Sequence, residues 1–121
     1  MRKLSKVNCY YKYVGCEESE PVMKIDFKRM ISPYKAKAEP YRIDVIKLDE
    51  EYHPADRTLI KVDVEGGEID VLKGARELCK LKRVHWTIDV HSWIGVSMKQ
   101  VKNFFDPNRN FNETKNRLIV R

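Results

Sequence analysis

The sequence predicts a mixed α/β sheet of about five to six strands with two main helices. Three observations carry that expectation. Residues 59–64 (LIKVDV) and 84–90 (VHWTIDV) are short apolar segments rich in β-formers. Residues 68–80 between them place Ile69, Leu72, Ala75 and Cys79 three or four apart on one helical face, with Leu78 beside them. Strand, helix and strand in that order form a βαβ unit, whose crossover is right-handed and makes the two strands parallel. Earlier segments alternate without room for long helices, so hairpins are expected there.

Taken in order, residues 7–14 (VNCYYKYV) read as a first strand ending at Gly15, with Tyr10, Tyr11 and Tyr13 half-buried against a core. Residues 22–27 (VMKIDF) alternate as a second strand. Residues 31–40 hold two prolines without periodicity and read as a loop. Residues 41–48 (YRIDVIKL) alternate again, and a polar connection leads to the strand at 59–64. The helix at 68–80 closes with Lys80, Lys82 and Arg83, cations that complement its dipole. In the strand at 84–90, Val84, Trp86, Ile88 and Val90 share one face. His85, Thr87 and Asp89 share the other, with His91 continuing that row. Residues 96–105 predict a second helix burying Val101, Phe104 and Phe105. Residues 106–116 read as a turn-rich loop, and 117–121 (RLIVR) as a last short strand.

The chain of 121 residues is expected to be one domain, residues 1–121. No apolar run approaches the ~20 residues of a membrane span. The basic N-terminus lacks the apolar stretch of a secretory signal. Cys9, Cys16 and Cys79 are odd in number, and the first two are too far apart for a zinc knuckle. A reduced, cytoplasmic chain with no membrane partner is the expectation. The net charge of +6 comes from 24 basic and 18 acidic residues. Such a balance suits RNA or another anionic partner, but no segment clusters five or six like charges, so nucleic acid is not favoured. The tyrosine-rich segment is read as core packing rather than a base-stacking platform.

Ligands of open α/β sheets bind beyond the carboxyl ends of the strands. Two neighbouring strands ending in Asp63-Val64-Glu65 and Asp89-Val90-His91 would bring Asp63, Glu65, Asp89 and His91 to one rim, and these four are the candidate catalytic residues. Glu68 begins the intervening helix, and Gly66 and Gly67 let the backbone turn sharply. The residue types leave several readings open. A carboxylate can accept hydrogen bonds from a ligand, and His91 can act as a general base. The oxygen-rich cluster with one imidazole also suits a hard divalent metal, and with it a metal-dependent hydrolase, although no metal site is assigned. Alternatively the helix dipole, a Lys61 ion pair and an Asp89–His91 bond account for the same residues structurally. His53 and His85 are read as solvated or structural.

The run IKVDVEGGEIDVLKGA closely resembles the core signature of the FkbM-type methyltransferases, with Lys61, Asp63, Glu65, Gly66, Glu68, Leu72, Gly74 and Ala75 in the matching places. That family usually continues with a strand ending in Glu-hydrophobic-His, where this chain has the shorter Asp89. A Leu-Asp pair precedes the signature in that family, as Leu48-Asp49 does here. The likeness is good over residues 41–93 and looser before. It implies a Rossmann-like, class I S-adenosylmethionine-dependent methyltransferase domain acting on hydroxyls of small molecules or sugars, with Gly66 and Glu68 near the cofactor. The family's cofactor pocket needs a glycine-rich turn after an N-terminal strand, because only glycine lets the backbone approach so closely. The glycines here are Gly15, Gly66, Gly67, Gly74 and Gly95, and none forms that turn. The resemblance therefore implies a truncated or split domain, equivalent to the family's C-terminal portion and inactive alone. An exposed sheet edge would then be covered in a homodimer or by a partner chain. The competing expectation is a non-enzymatic binding protein on the same scaffold.

Overall fold

The computed structural model describes residues 6–10, 12–17, 22–23, 41–42 and 44–121. Its centre is a four-stranded mixed sheet. Strand β5 (Thr58–Val62) pairs in parallel with β6 (Val84–Asp89), which pairs antiparallel with β8 (Arg117–Val120), which pairs antiparallel with β7 (Phe111–Glu113). Two short pairs accompany it: β1 (Tyr13–Val14) runs parallel to β4 (Val45–Ile46), and β2 (Val22–Met23) antiparallel to β3 (Tyr41–Arg42). Among the described residues there are four short α-helices: α1 (Leu48–Glu51), α2 (Glu68–Lys73), α3 (Arg76–Lys80) and α4 (Met98–Lys102). The architecture is mixed α/β and consistent with a truncated Rossmann-like fold.

Strand β6 organises the core. Val84, Trp86 and Ile88 are fully buried and Val90 nearly so, while His85, Thr87 and Asp89 are half-buried, so the alternation read from sequence is the one observed. Leu72, Ala75 and Cys79 from the helices, Val101 and Phe105 from the region of α4, and Leu118 and Val120 of β8 pack in the same cluster. Phe105 meets Trp86 edge-on at 5.7 Å, a geometry favoured by the ring quadrupoles. Burial pushes the Cys79 thiol up to about 12. The α4 helix starts with a reciprocal capping box between Ser97 and Gln100.

Several elements differ from the expectation. The predicted helix at 68–80 is two helices. Gly74 ends α2, and a Cβ there would lie 1.9 Å from the Gly15 carbonyl oxygen. The Gly74 carbonyl meanwhile accepts from the Asp49 amide. The close passage of the β1 end requires glycine at this point and breaks the helix. Helix α3 is then capped from a distance: the Asp49 carboxylate accepts from the amides of Glu77 at 2.9 Å and Leu78 at 3.0 Å. That gives the Leu48-Asp49 pair a structural function.

The strand expected over 41–48 splits into β3 and β4, which have different partners, and Leu48 begins a helix. Residues 7–10 are not strand, and Val7 and Tyr10 are exposed. The first expected hairpin is instead the parallel β1–β4 pair. The loop expected over 106–116 contains β7, three residues flanked by turn formers. Tyr11, the loop at 31–40 and the remainder of the strand expected over 22–27 lie outside the described residues. Among the described residues no helix is long and apolar enough to cross a membrane.

Candidate functional site

The parallel pairing of β5 and β6 sets Val62 beside Ile88, so the chain leaves both strands at the same rim of the sheet. Beyond β5 it passes Asp63 and turns back over Val64–Gly67, closed by the Gly67 amide on the Val64 carbonyl at 3.2 Å. Both central residues have positive φ, Glu65 at 49° and Gly66 at 102°. That combination marks a type I′ geometry, at ease with glycine but costly for glutamate, by about 1–2 kcal/mol. The turn places Glu65 Oε1 3.4 Å from His91 Nε2 at the rim. A Cβ on Gly66 would come within 3.1 Å of the Ile94 side chain, and one on Gly67 within 3.4 Å of the Tyr13 hydroxyl.

Two residues of this rim are buried. Glu68, first residue of α2, is 0% exposed, and His91, just past β6, is 4% exposed. Their side chains meet, His91 Nδ1 donating to Glu68 Oε1. Glu68 Oε2 is buried with no hydrogen-bond partner. On the other side of the imidazole, Nε2 faces Glu65 Oε1 at 3.4 Å and Asp63 Oδ1 at 3.7 Å. The hydrogen bond to Glu68 holds the His91 pKa above its ordinary 6.5 against the opposing effect of burial, with Glu65 and Asp63 adding to the rise. Asp63 also pairs with Lys61 at 3.7 Å.

The structure thus gathers Asp63, Glu65, Glu68 and His91 and sets Asp89 apart. Asp89 accepts from Arg117 Nε at 2.7 Å rather than bonding to His91, and that contact holds its carboxyl below the ordinary 3.8. His91 does not continue the half-exposed row of β6. Its backbone, at φ −88° and ψ 71°, leaves strand geometry and swings the ring inward. Glu68 faces His91, and the Ile94 side chain stands against Gly66. His85 is half-buried and His53 exposed, both away from the rim.

A shallow cleft of about 310 Å³ adjoins His91, lined by Asp89, Val90, Trp93, Thr114, Asn116 and Arg117. Trp93, 68% exposed, meets the His91 ring edge-on at 4.9 Å. Sequence reasoning missed Trp93 and Arg117. A large aromatic next to the last site histidine was a usable signal for the first; the second depends on the Asp89–Arg117 register of β6 with β8.

The methyltransferase FkbM domain profile matches residues 10–116. The chain belongs to that family. No curated protein and no solved structure matches it. The FkbM signature coincides with β5, the 64–67 turn and α2, the segment that builds the acidic rim. S-adenosylmethionine is the methyl donor that membership implies in general, and the described residues carry no G-x-G turn to receive it.

Proposed function

We propose that this FkbM-type chain is the acceptor-binding, C-terminal portion of an S-adenosylmethionine-dependent O-methyltransferase domain. The glycine-rich segment comes from outside residues 1–121 and is seated along β5, and these residues alone are inactive. The observation that supports this reading is the His91–Glu68 pair. Glu68 fixes the proton on Nδ1 and leaves the Nε2 lone pair facing the rim, the arrangement a general base requires. The same hydrogen bond raises the His91 pKa above its ordinary 6.5.

In this reading a hydroxyl of a small molecule or sugar enters from the cleft beside Trp93 and reaches His91 Nε2. Asp63 and Glu65 hold the hydroxyl by accepting hydrogen bonds from its neighbours, and stabilise the imidazolium once the proton has moved. S-adenosylmethionine, when bound, supplies the methyl group. No further step is assigned to this chain. Asp89, locked to Arg117, shapes the cleft wall. The free side of β5 supports the partner: among the described residues that strand has one neighbour, and an uncovered parallel edge is a liability.

Calorimetry with S-adenosylmethionine tests the split directly. The isolated chain is expected to give no binding heat at millimolar ligand. Saturable binding by the chain alone would overturn the requirement for a partner. Sedimentation at high concentration tests whether a second copy covers the β5 edge, and a strict monomer would count against it.

A further inference from the structure

We propose that Asp63, Glu65 and His91 form a binding site for a divalent cation of the zinc or manganese class. One ligand atom from each of Asp63, Glu65 and His91 lies within 4.8 Å of the other two. A cation about 2.0–2.2 Å from each of three ligands sets them roughly 3.0–3.6 Å apart. Of the two distances from Nε2, 3.4 Å lies in that range and 3.7 Å just beyond it, so a small side-chain adjustment brings both to ligand spacing. They are also longer than the roughly 2.7–3.2 Å of a direct N–H···O bond, so Nε2 makes no hydrogen bond to either carboxylate.

The cluster is more than a group of surface acids. His91 is a buried side chain, 5% exposed, whose Nε2 points into the triangle without a hydrogen-bond partner. Behind it, Glu68 is fully buried and accepts from Nδ1, with its second oxygen unpartnered. A carboxylate behind a histidine, fixing its tautomer and orientation, is the recurrent support of metal-bound imidazole. Glu68 is thus a positioning residue and the other three are ligands. One nitrogen and two carboxylate oxygens favour a borderline cation such as zinc, with manganese as the harder alternative. Asp63 and Glu65 are exposed, which leaves the outer side of the cation open to water or to an acceptor oxygen.

One consequence rests on the proposed function. Nε2 has a single lone pair, so a bound cation takes away the proton acceptor. The cation would then hold the site in an off state. Binding itself does not depend on methyl transfer and can be measured without it.

The test is titration calorimetry of the purified chain with zinc chloride and, separately, manganese chloride, alongside histidine-detected nitrogen NMR. One equivalent of either cation is expected to bind and shift the His91 Nε2 resonance. The double variant Asp63→Asn/Glu65→Gln, whose exposed positions leave the core intact, is expected to lose at least ten-fold in affinity. Glu68→Gln is expected to weaken binding about 10–100-fold. The double variant keeps every cysteine and the other two histidines, so undiminished binding by it would place the cation elsewhere and overturn the site. Absence of binding heat with both cations would overturn it as well. Cation binding as expected, with methyl transfer by the completed domain undiminished by the bound cation, would sink the catalytic reading of Nε2 and leave the site standing.

Discussion

Strand β6 and the turn from Asp63 to Gly67 end at the same rim, yet they are built on opposite terms. Every apolar side chain on the inner face of β6 is buried, and its backbone is paired on both sides. The turn has a glutamate at positive φ, two exposed carboxylates and a buried glutamate with an unpartnered oxygen beneath it. One region is arranged for stability. The other accepts strain and unpaired polarity in order to aim Nε2 and two carboxylates at one point. Substitutions in the two regions should therefore separate stability from binding.

The largest expected effect is in the stable region. Trp86→Ala empties the centre of the core and is expected to cost about 3–5 kcal/mol, measured by denaturant unfolding. A cost under about 1 kcal/mol would mean that β6 is not the centre of packing. Next is Gly74→Ala, whose new methyl group would collide with the Gly15 backbone rather than with a yielding side chain. A loss of about 1–3 kcal/mol is expected, because β1 must move away from the α2–α3 junction.

Within the turn the costs are smaller and have a different origin. Gly66→Ala meets the Cγ2 methyl of the exposed Ile94 side chain at 3.1 Å, a contact that side chain can relieve by shifting, so most of its expected loss of about 1–2 kcal/mol comes from the φ of 102°. Removing the strain, rather than the space, should restore it: Gly66→Asn, a residue that tolerates left-handed backbone, is expected to lose less than alanine does. Equal losses would locate the cost in Ile94 instead.

The same contrast explains what the sequence could reveal. The core of β6 was legible because alternation is a local property, and the parallel β5–β6 pair followed from the helix between the strands. The Asp63, Glu65 and His91 convergence followed from that pairing. The burial of His91 was not legible, since it depends on the backbone leaving strand geometry after Val90. Nor was the break at Gly74, which exists because Gly15 passes close by, some sixty positions away in sequence. The Asp89–Arg117 pair needed the position of β8 in the sheet. β7 was hidden because three residues among asparagines and a proline carry too little pattern. Local rules reached the strands and their polar ends; contacts made by distant segments decided which of those ends became a site.

The smallest effect expected is a pH dependence of stability with two separate limbs, one from each neighbour at the rim. The folded pKa of His91 is raised above 6.5, so its contribution is fully present below that pH and is lost as pH rises through the folded value. The folded pKa of Asp89 is depressed below 3.8, so its contribution is present above that pH and is lost as pH falls through the folded value. Melting temperature against pH should therefore slope down on the alkaline side of 6.5 and on the acid side of 3.8. His91→Asn should flatten the first limb only, and Arg117→Ala the second only, with the change of slope rather than of level as the readout. If Arg117→Ala also flattens the alkaline limb, the two groups titrate as one network, and the separation of Asp89 from the His91 cluster would not hold in solution.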